Sequence, residues 1–142
     1  MEPIFHYIFS TYKRKHILSE EIAELLERIF TQICEKKGFK LICQSILLDH
    51  VHLLIMRSGA FRNEYVMKVL KGSSAHKIFE TFPVNRLEFR KLWGRGYRAV
   101  RVRGDDQLAR AISYIKGQKI NGVDKRIKLI GSRDVQSLAS NG

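Results

Sequence analysis

The sequence contains little cysteine and little proline, with two of each among its 142 residues. Cys34 and Cys43 do not form a Cys-x-x-Cys pair, which argues against a disulfide-rich secreted scaffold and against a four-cysteine metal site. Two reduced core thiols in a cytoplasmic protein are therefore expected. Two prolines, together with the absence of repeats and low-complexity segments, leave no proline-rich linker and predict one domain over residues 1–142.

Long hydrophobic runs are also missing. No apolar stretch is long enough to cross a bilayer, so no transmembrane segment and no membrane partner are predicted. The first residues, "MEPIFHYIFSTYKRK", lack a basic region ahead of their apolar stretch, which argues against a signal peptide. A cytoplasmic location is the resulting expectation.

Acidic residues are outnumbered, with 14 Asp and Glu against 26 Lys and Arg and a formal net charge of +12. The excess is uneven, because residues 84–133 carry 14 basic and 4 acidic residues whereas residues 1–83 carry 12 and 9. A basic half joined to a nearly neutral half indicates a polyanionic partner, most simply nucleic acid. A basic surface that serves only solubility is the alternative.

The hydrophobic pattern predicts seven elements in the order β-α-β-β-α-β-α. Ser19 is the predicted N-cap of the first helix and Gly38 its stop. The predicted ranges are strands at residues 4–12, 40–47, 50–57 and 97–103, and helices at residues 20–37, 63–79 and 104–119, with a flexible basic tail over about 121–142. This order predicts an α+β, ferredoxin-like (RRM-like) split β-α-β sandwich: an antiparallel sheet, helices on one face, and an added C-terminal helix.

Two histidines interrupt the apolar stretch "LLDHVHLLIM". Because side chains alternate along a strand, His50 and His52 share one face and Val51 lies on the other. Two imidazoles placed in this way can converge on one metal ion, but further ligands must come from elsewhere. Tyr114 and Gln118 lie one turn apart on the last helix, beside its apolar stripe, and could be presented to the histidines. Packing alone could also account for each pair.

The combination of these features resembles the TnpA-type transposases of the insertion-sequence 200/605 family, also called single-tyrosine HUH transposases. The similarity runs from about Phe5 to Lys119. It is carried by "STYKRKHIL", "EKKGFKL", "DHVHLLI", "VLKGSSAHKIFETFP", "LWGRGY" and "YIKGQ". At Leu48 the sequence departs from the family, where proline often precedes the aspartate.

The resemblance implies that Tyr114 is the nucleophile and that His50, His52 and Gln118 bind a divalent ion, Mg²⁺ or Mn²⁺. It implies cleavage and rejoining of single-stranded DNA by transesterification through a 5′-phosphotyrosine intermediate, without ATP. It also implies hairpin recognition at insertion-sequence ends, and a homodimer in which the tyrosine helix of one subunit completes the histidine site of the other. Imidazole ligands are unusual for magnesium, which prefers oxygen, so a weakly held ion with open positions is expected.

Several other residues have two interpretations. Asp49 either orients a histidine or caps the turn, and the turn is favoured; Trp93 either stacks on bases or anchors the core, and the core is favoured. Six basic residues are predicted to contact DNA, although each could simply face solvent: Lys13, Arg14, Lys68, Lys71, Arg98 and Arg101.

The sequence leaves three other functions open. A non-catalytic module for single-stranded RNA or DNA would not need Tyr114 and would expose aromatic residues on its central strands. The RNA-binding aromatic signature is absent from the strands, and the histidines occupy the central one. A metal hydrolase would use His50 and His52 to activate water, again without Tyr114. An inactive relative is the third alternative, although all four motif residues are present.

Overall fold

A computed structural model describes residues 2–82 and 90–127, with side chains in the last helix described as far as residue 118. The strands are β1 (Ile4–Ser10), β2 (Lys40–Ile46), β3 (His50–Met56) and β4 (Arg98–Val102); the helices are α1 (Glu20–Lys37), α2 (Asn63–Thr81) and α3 (Gly104–Ile127). A single 3₁₀ turn, Tyr12–Arg14, follows β1. The predicted order of elements is confirmed.

The ends of α1 follow the predicted signals. The Ser19 hydroxyl accepts a hydrogen bond from the backbone N–H of Ile22, and Glu20 and Glu21 lie in the first turn, where the helix dipole favours negative charge. Gly38 ends the helix with φ of +76°, a left-handed conformation that favours glycine.

The four strands form one antiparallel sheet in the order β2-β3-β1-β4, which is the predicted ferredoxin-like arrangement. Helices α1 and α2 pack together on one face of the sheet. Helix α3 packs on the other face, chiefly against β2. The central strands β3 and β1 are therefore covered on both sides.

Alternation along the central strands divides their side chains between two cores. Val51, Leu53 and Ile55 of β3 pack against α1 and α2, whereas Leu54 and Met56 pack toward α3. A bulge in β2 between Leu41 and Cys43 shifts the pairing with β3 by one residue, so Ile42 and Cys43 both pack toward α3.

The larger core contains the single tryptophan, as predicted. Trp93 is 5% exposed, its ring lies 4.7 Å from that of Phe9, and its indole N–H donates to the Ser74 hydroxyl at 2.9 Å. Both cysteines are free thiols. Burial raises the pKa of the Cys34 thiol to about 12, whereas Cys43 is only half-buried.

The last helix is longer than predicted. Helix α3 continues to Ile127, although the sequence predicted an end near Lys119. The polar residues after Ile120 predict a fraying end, but no proline interrupts the backbone there, and the helix continues. The remaining part of the predicted tail, residues 128–142, lies outside the described residues. Among the helices described, none is long and apolar enough to span a membrane.

Candidate active site

The sheet face beneath α3 carries three histidines rather than two. His50 and His52 extend from β3 on this face, as predicted, with ring centroids 5.0 Å apart. His6 extends from the neighbouring strand β1, and its ring centroid lies 5.1 Å from that of His52. His6 was not predicted, because an isolated histidine in a strand has no spacing signal. Once β1 is placed beside β3, strand alternation assigns it to this face.

His6 and His52 are hydrogen-bonded to each other. His6 Nε2 lies 2.9 Å from His52 Nδ1, and the two side chains are 8% and 3% exposed. Burial, reinforced by the charge of Arg98, lowers the pKa of His6 to about 4. Burial, followed by the neighbouring His6 and His50, lowers the pKa of His52 to about 3. Both imidazoles are therefore neutral at neutral pH, and a single hydrogen occupies their contact.

Asp49 holds the third imidazole. Its Oδ1 lies 2.7 Å from His50 Nδ1, and its Oδ2 accepts from Arg14 Nε at 3.1 Å. Burial alone would raise the pKa of Asp49, but the His50 hydrogen bond and the Arg14 charge outweigh it and lower that pKa. The favoured prediction, a turn-capping side chain, is wrong, because both carboxylate oxygens bind side chains. The Asp49 carbonyl accepts from the Thr11 N–H at 2.9 Å and so continues the pairing of β3 with β1, whereas the turn itself is closed by the Leu47 N–H, which donates to the His50 carbonyl at 2.8 Å.

Tyr114 lies beside the histidines of the same chain. Its ring meets those of His52 and His6 edge-on, with centroid distances of 5.8 and 6.0 Å, while 52% of the residue remains exposed. The adjacent Ile115 is fully buried and fixes this turn of α3 on the sheet. The rest of the predicted apolar stripe is half-buried in the same cluster: Leu108, Ala111 and Ile112. The sequence correctly predicted which face of the helix meets the sheet.

Gln118 lies one helical turn beyond Tyr114 and is half-buried. Its amide forms no hydrogen bond with another described residue. Its role as a metal ligand stays a prediction.

His50 and His52 have the chemistry of a partial metal site. His52 Nε2 is buried without a hydrogen-bond partner among the described residues, and so is the hydroxyl of Ser45, which lies opposite His52 on β2. Buried polar atoms are almost always satisfied, so such a pair of unpartnered atoms suits a bound ligand. No group of three or more His, Cys, Asp or Glu in the described part of the chain could hold a metal. The imidazoles therefore fit a weakly held divalent cation that takes further oxygen ligands, not a closed structural site.

The residues predicted to contact DNA do not share one surface. Arg14 binds Asp49 at the edge of the site, and Arg98 lies on the histidine face, where its charge lowers the pKa of His6. Arg101 points to the opposite face of the sheet, 5.6 Å from the ring of Phe5. Lys13 adopts a left-handed φ of 56° beside Tyr12 and is exposed.

The two lysines of α2 lie in the other helical layer. Lys68 is exposed. Lys71 instead donates to the carbonyl oxygens of Gly94 and Gly96 at 2.7 and 2.9 Å, and burial lowers its pKa. The ammonium of Lys71 thus fixes the loop before β4, a role that the sequence did not predict.

Comparison with known proteins places this arrangement in a family. The family described as "Transposase IS200 like" matches residues 2–118. The ISDra2 transposase TnpA of Deinococcus radiodurans is 32% identical over 116 residues, which are 80% of this chain and 82% of that protein.

Two solved structures are similar. A crystal structure of a candidate transposase from D. radiodurans R1 has 28% identity and a TM-score of 0.67, covering 83% of this chain and 92% of that one. A REP-associated tyrosine transposase bound to a REP hairpin has 11% identity and a TM-score of 0.64, covering 85% and 69%; at that identity the likeness concerns the fold alone.

Proposed function

Since this chain belongs to the IS200-like transposases and is thus a DNA-processing enzyme, we propose that it cleaves and rejoins single-stranded DNA with Tyr114 as the nucleophile. The observation that carries the proposal is the position of Tyr114. Its ring contacts the buried histidines, yet half of the residue is open to solvent and to a substrate strand. Tyr65 and Tyr97 are exposed as well, but among the ring contacts of the described residues only Tyr114 combines exposure with contact to the histidines.

The proposed reaction exchanges one phosphodiester for another. Tyr114 Oη forms a bond to phosphorus while the bond from phosphorus to the 3′ oxygen breaks, which leaves a 5′-phosphotyrosine and a free 3′-hydroxyl. The proton lost by the phenol balances the proton gained by the leaving oxygen. A later attack by a 3′-hydroxyl reverses the exchange and rejoins DNA, so no nucleotide cofactor is needed.

His50 and His52 would hold Mg²⁺ or Mn²⁺ through their Nε2 atoms, with Gln118 as a further ligand. A divalent cation bound there would withdraw charge from the phosphoryl oxygens and so favour attack by a weak nucleophile. Asp49 supports this role by orienting His50, and the unpartnered His52 Nε2 supports it from the second imidazole.

The proposed substrate is single-stranded DNA that carries a hairpin from an insertion-sequence end. Two observations support it: the net charge of +12, and a transposase of the same fold that is bound to a REP hairpin. Exposed basic side chains on both layers of the protein, such as Arg98 and Lys68, would contact the phosphates.

The decisive experiment asks whether DNA becomes attached to the protein. The protein is incubated with a labelled single-stranded oligonucleotide bearing the element's end and Mn²⁺, then denatured in detergent. We expect a covalent adduct that Tyr114→Phe abolishes. Tyr65→Phe, which alters an exposed tyrosine on α2, is the matched control and should leave the adduct unchanged. Cleavage without an adduct would indicate a hydrolase, and binding with neither would indicate a binding module.

The proposed assembly is a homodimer, and the family resemblance implies sites shared between subunits. Within one chain, however, Tyr114 already lies beside His52. Mixing inactive His52→Ala and Tyr114→Phe subunits separates the two arrangements. Shared sites would restore adduct formation, because a mixed dimer contains one intact site, whereas sites formed within one subunit would stay inactive.

A further inference from the structure

His6 is a buried polar side chain for which the proposed chemistry gives no role. It lies near the middle of β1, where it pairs with Leu54 of β3 and Val100 of β4, and is 8% exposed. Its only hydrogen bond within the described part of the chain joins its Nε2 to His52 Nδ1 at 2.9 Å. It therefore acts directly on the imidazole whose other nitrogen is unpartnered.

The shared hydrogen between these neutral rings permits two arrangements. If His52 Nδ1 donates to His6 Nε2, then His52 Nε2 carries a lone pair. If His6 Nε2 donates instead, His52 Nε2 must carry a hydrogen, which points into a buried place without an acceptor among the described residues. Only the first arrangement leaves His52 able to bind a cation through Nε2.

We propose that His6 is a positioning residue, which accepts the Nδ1 hydrogen of His52 and so holds His52 in the tautomer whose Nε2 can bind a divalent cation. The inference rests on the proposed metal-binding role of His50 and His52. The two proposed ligands are then oriented in the same way. Asp49 fixes the ring of His50 by a hydrogen bond at His50 Nδ1, and His6 fixes the ring of His52 by a hydrogen bond at His52 Nδ1. Such partners of metal-binding histidines typically change metal affinity 10–100-fold when removed.

The His6 ring has a second contact that any test must separate from this role. It meets the ring of Tyr114 edge-on at 6.0 Å, so a substitution could alter the tyrosine's position as well. Metal binding without DNA, and the hydrogen positions on His52, report on the first role independently of DNA cleavage.

The test compares His6→Leu, which removes the acceptor but keeps apolar bulk, with His6→Gln, whose side-chain oxygen can accept the hydrogen in place of Nε2. His76→Leu is the control, because His76 is exposed on α2, away from the site. Binding of Mn²⁺ to the full chain is titrated by electron paramagnetic resonance. Two-dimensional ¹H–¹⁵N NMR of the metal-free protein identifies the tautomer of His52, and circular dichroism checks folding.

We expect the wild-type protein to hold His52 as the Nδ1–H tautomer. His6→Leu should lose this preference and bind Mn²⁺ about 10–100-fold more weakly. His6→Gln and His76→Leu should stay within a few-fold of wild type. An Nε2–H tautomer in the wild-type protein would overturn the inference.

The metal titration also separates the inference from the proposed function. If His52→Ala abolishes Mn²⁺ binding but folded His6→Leu binds normally, the metal site stands and the inference is wrong. If wild type and His52→Ala bind Mn²⁺ equally, the proposed metal site is wrong and the inference falls with it.

Discussion

Asp49→Asn should weaken metal binding through a conflict between two donors. In the wild-type protein both carboxylate oxygens accept, one from His50 Nδ1 at 2.7 Å and one from Arg14 Nε at 3.1 Å. Asparagine replaces one of the two carboxylate oxygens with an amino group, so only one of these donors keeps an acceptor at its position. If its oxygen turns to Arg14, its amino group faces His50 Nδ1 and favours a hydrogen on Nε2, the atom proposed to bind the cation.

The expected magnitudes follow from the two contacts. Loss of the orienting partner of a metal-binding histidine costs about 10–100-fold in affinity, or about 1.4 kcal/mol per tenfold. The Arg14–Asp49 ion pair contributes less, about 0–1 kcal/mol, because the Arg14 side chain is 64% exposed. Asp49→Asn should therefore weaken Mn²⁺ binding about 10–100-fold, and Arg14→Ala by about fivefold at most.

A double variant tests the conflict itself. In Arg14→Ala/Asp49→Asn the competing donor is gone, so the asparagine oxygen can turn back to His50. Calorimetric titration with Mn²⁺ should show that the double variant binds more tightly than Asp49→Asn alone. The loss of binding free energy in the double variant should thus be smaller than the sum of the two single losses. Additive losses in the double variant, or wild-type affinity in Asp49→Asn, would contradict a conflict between the two donors.

Three further outcomes are expected. In the folded chain the pKa values of His6 and His52 are lowered to about 4 and about 3, so below about pH 6.5 the unfolded metal-free chain binds protons that the folded chain does not. The free energy of unfolding, measured with urea, should therefore fall by at least about 2 kcal/mol between pH 7 and pH 4.5. A constant free energy of unfolding would contradict this. Ser74→Ala should cost about 1–3 kcal/mol of unfolding free energy, measured by tryptophan fluorescence, because it leaves the buried Trp93 N–H without its acceptor; a neutral effect would mean that water replaces the hydroxyl. Lys71→Met should speed amide hydrogen exchange in the loop whose carbonyl oxygens this lysine binds. It should leave unchanged the slope of log K for DNA binding against log salt concentration, which loss of a phosphate contact would reduce by about one unit. The reverse result would assign Lys71 to DNA.

Much of the fold could be predicted because its signals are local. The cap at Ser19, the left-handed Gly38 and the alternation through His50 and His52 each depend on a few adjacent residues, and each is confirmed. The apolar stripe of α3 also placed Tyr114 on the correct side of its helix. Such patterns report which face of an element is buried, and that was enough to bring the tyrosine to the histidines.

Contacts between distant segments could not be predicted in the same way. The bond from His6 to His52 joins residues 46 positions apart, and the bond from Arg14 to Asp49 joins residues 35 apart. Neither partner reveals the other until the order of strands is known. Lys71 was likewise predicted to contact DNA because it is basic. Only the path of the loop near Gly94 shows that its ammonium binds backbone oxygens.

Strand β3 has consequences for how this enzyme can vary. Its odd positions, such as Val51 and Leu53, belong to one core, and its even positions include the two histidines. A one-residue insertion or deletion inside the strand would exchange these roles, burying imidazoles under α1 and α2 and placing aliphatic side chains on the face beneath α3. A change in the length of β3 should therefore abolish folding and activity together. A point substitution on one face of the strand can be made without altering the side chains of the opposite face.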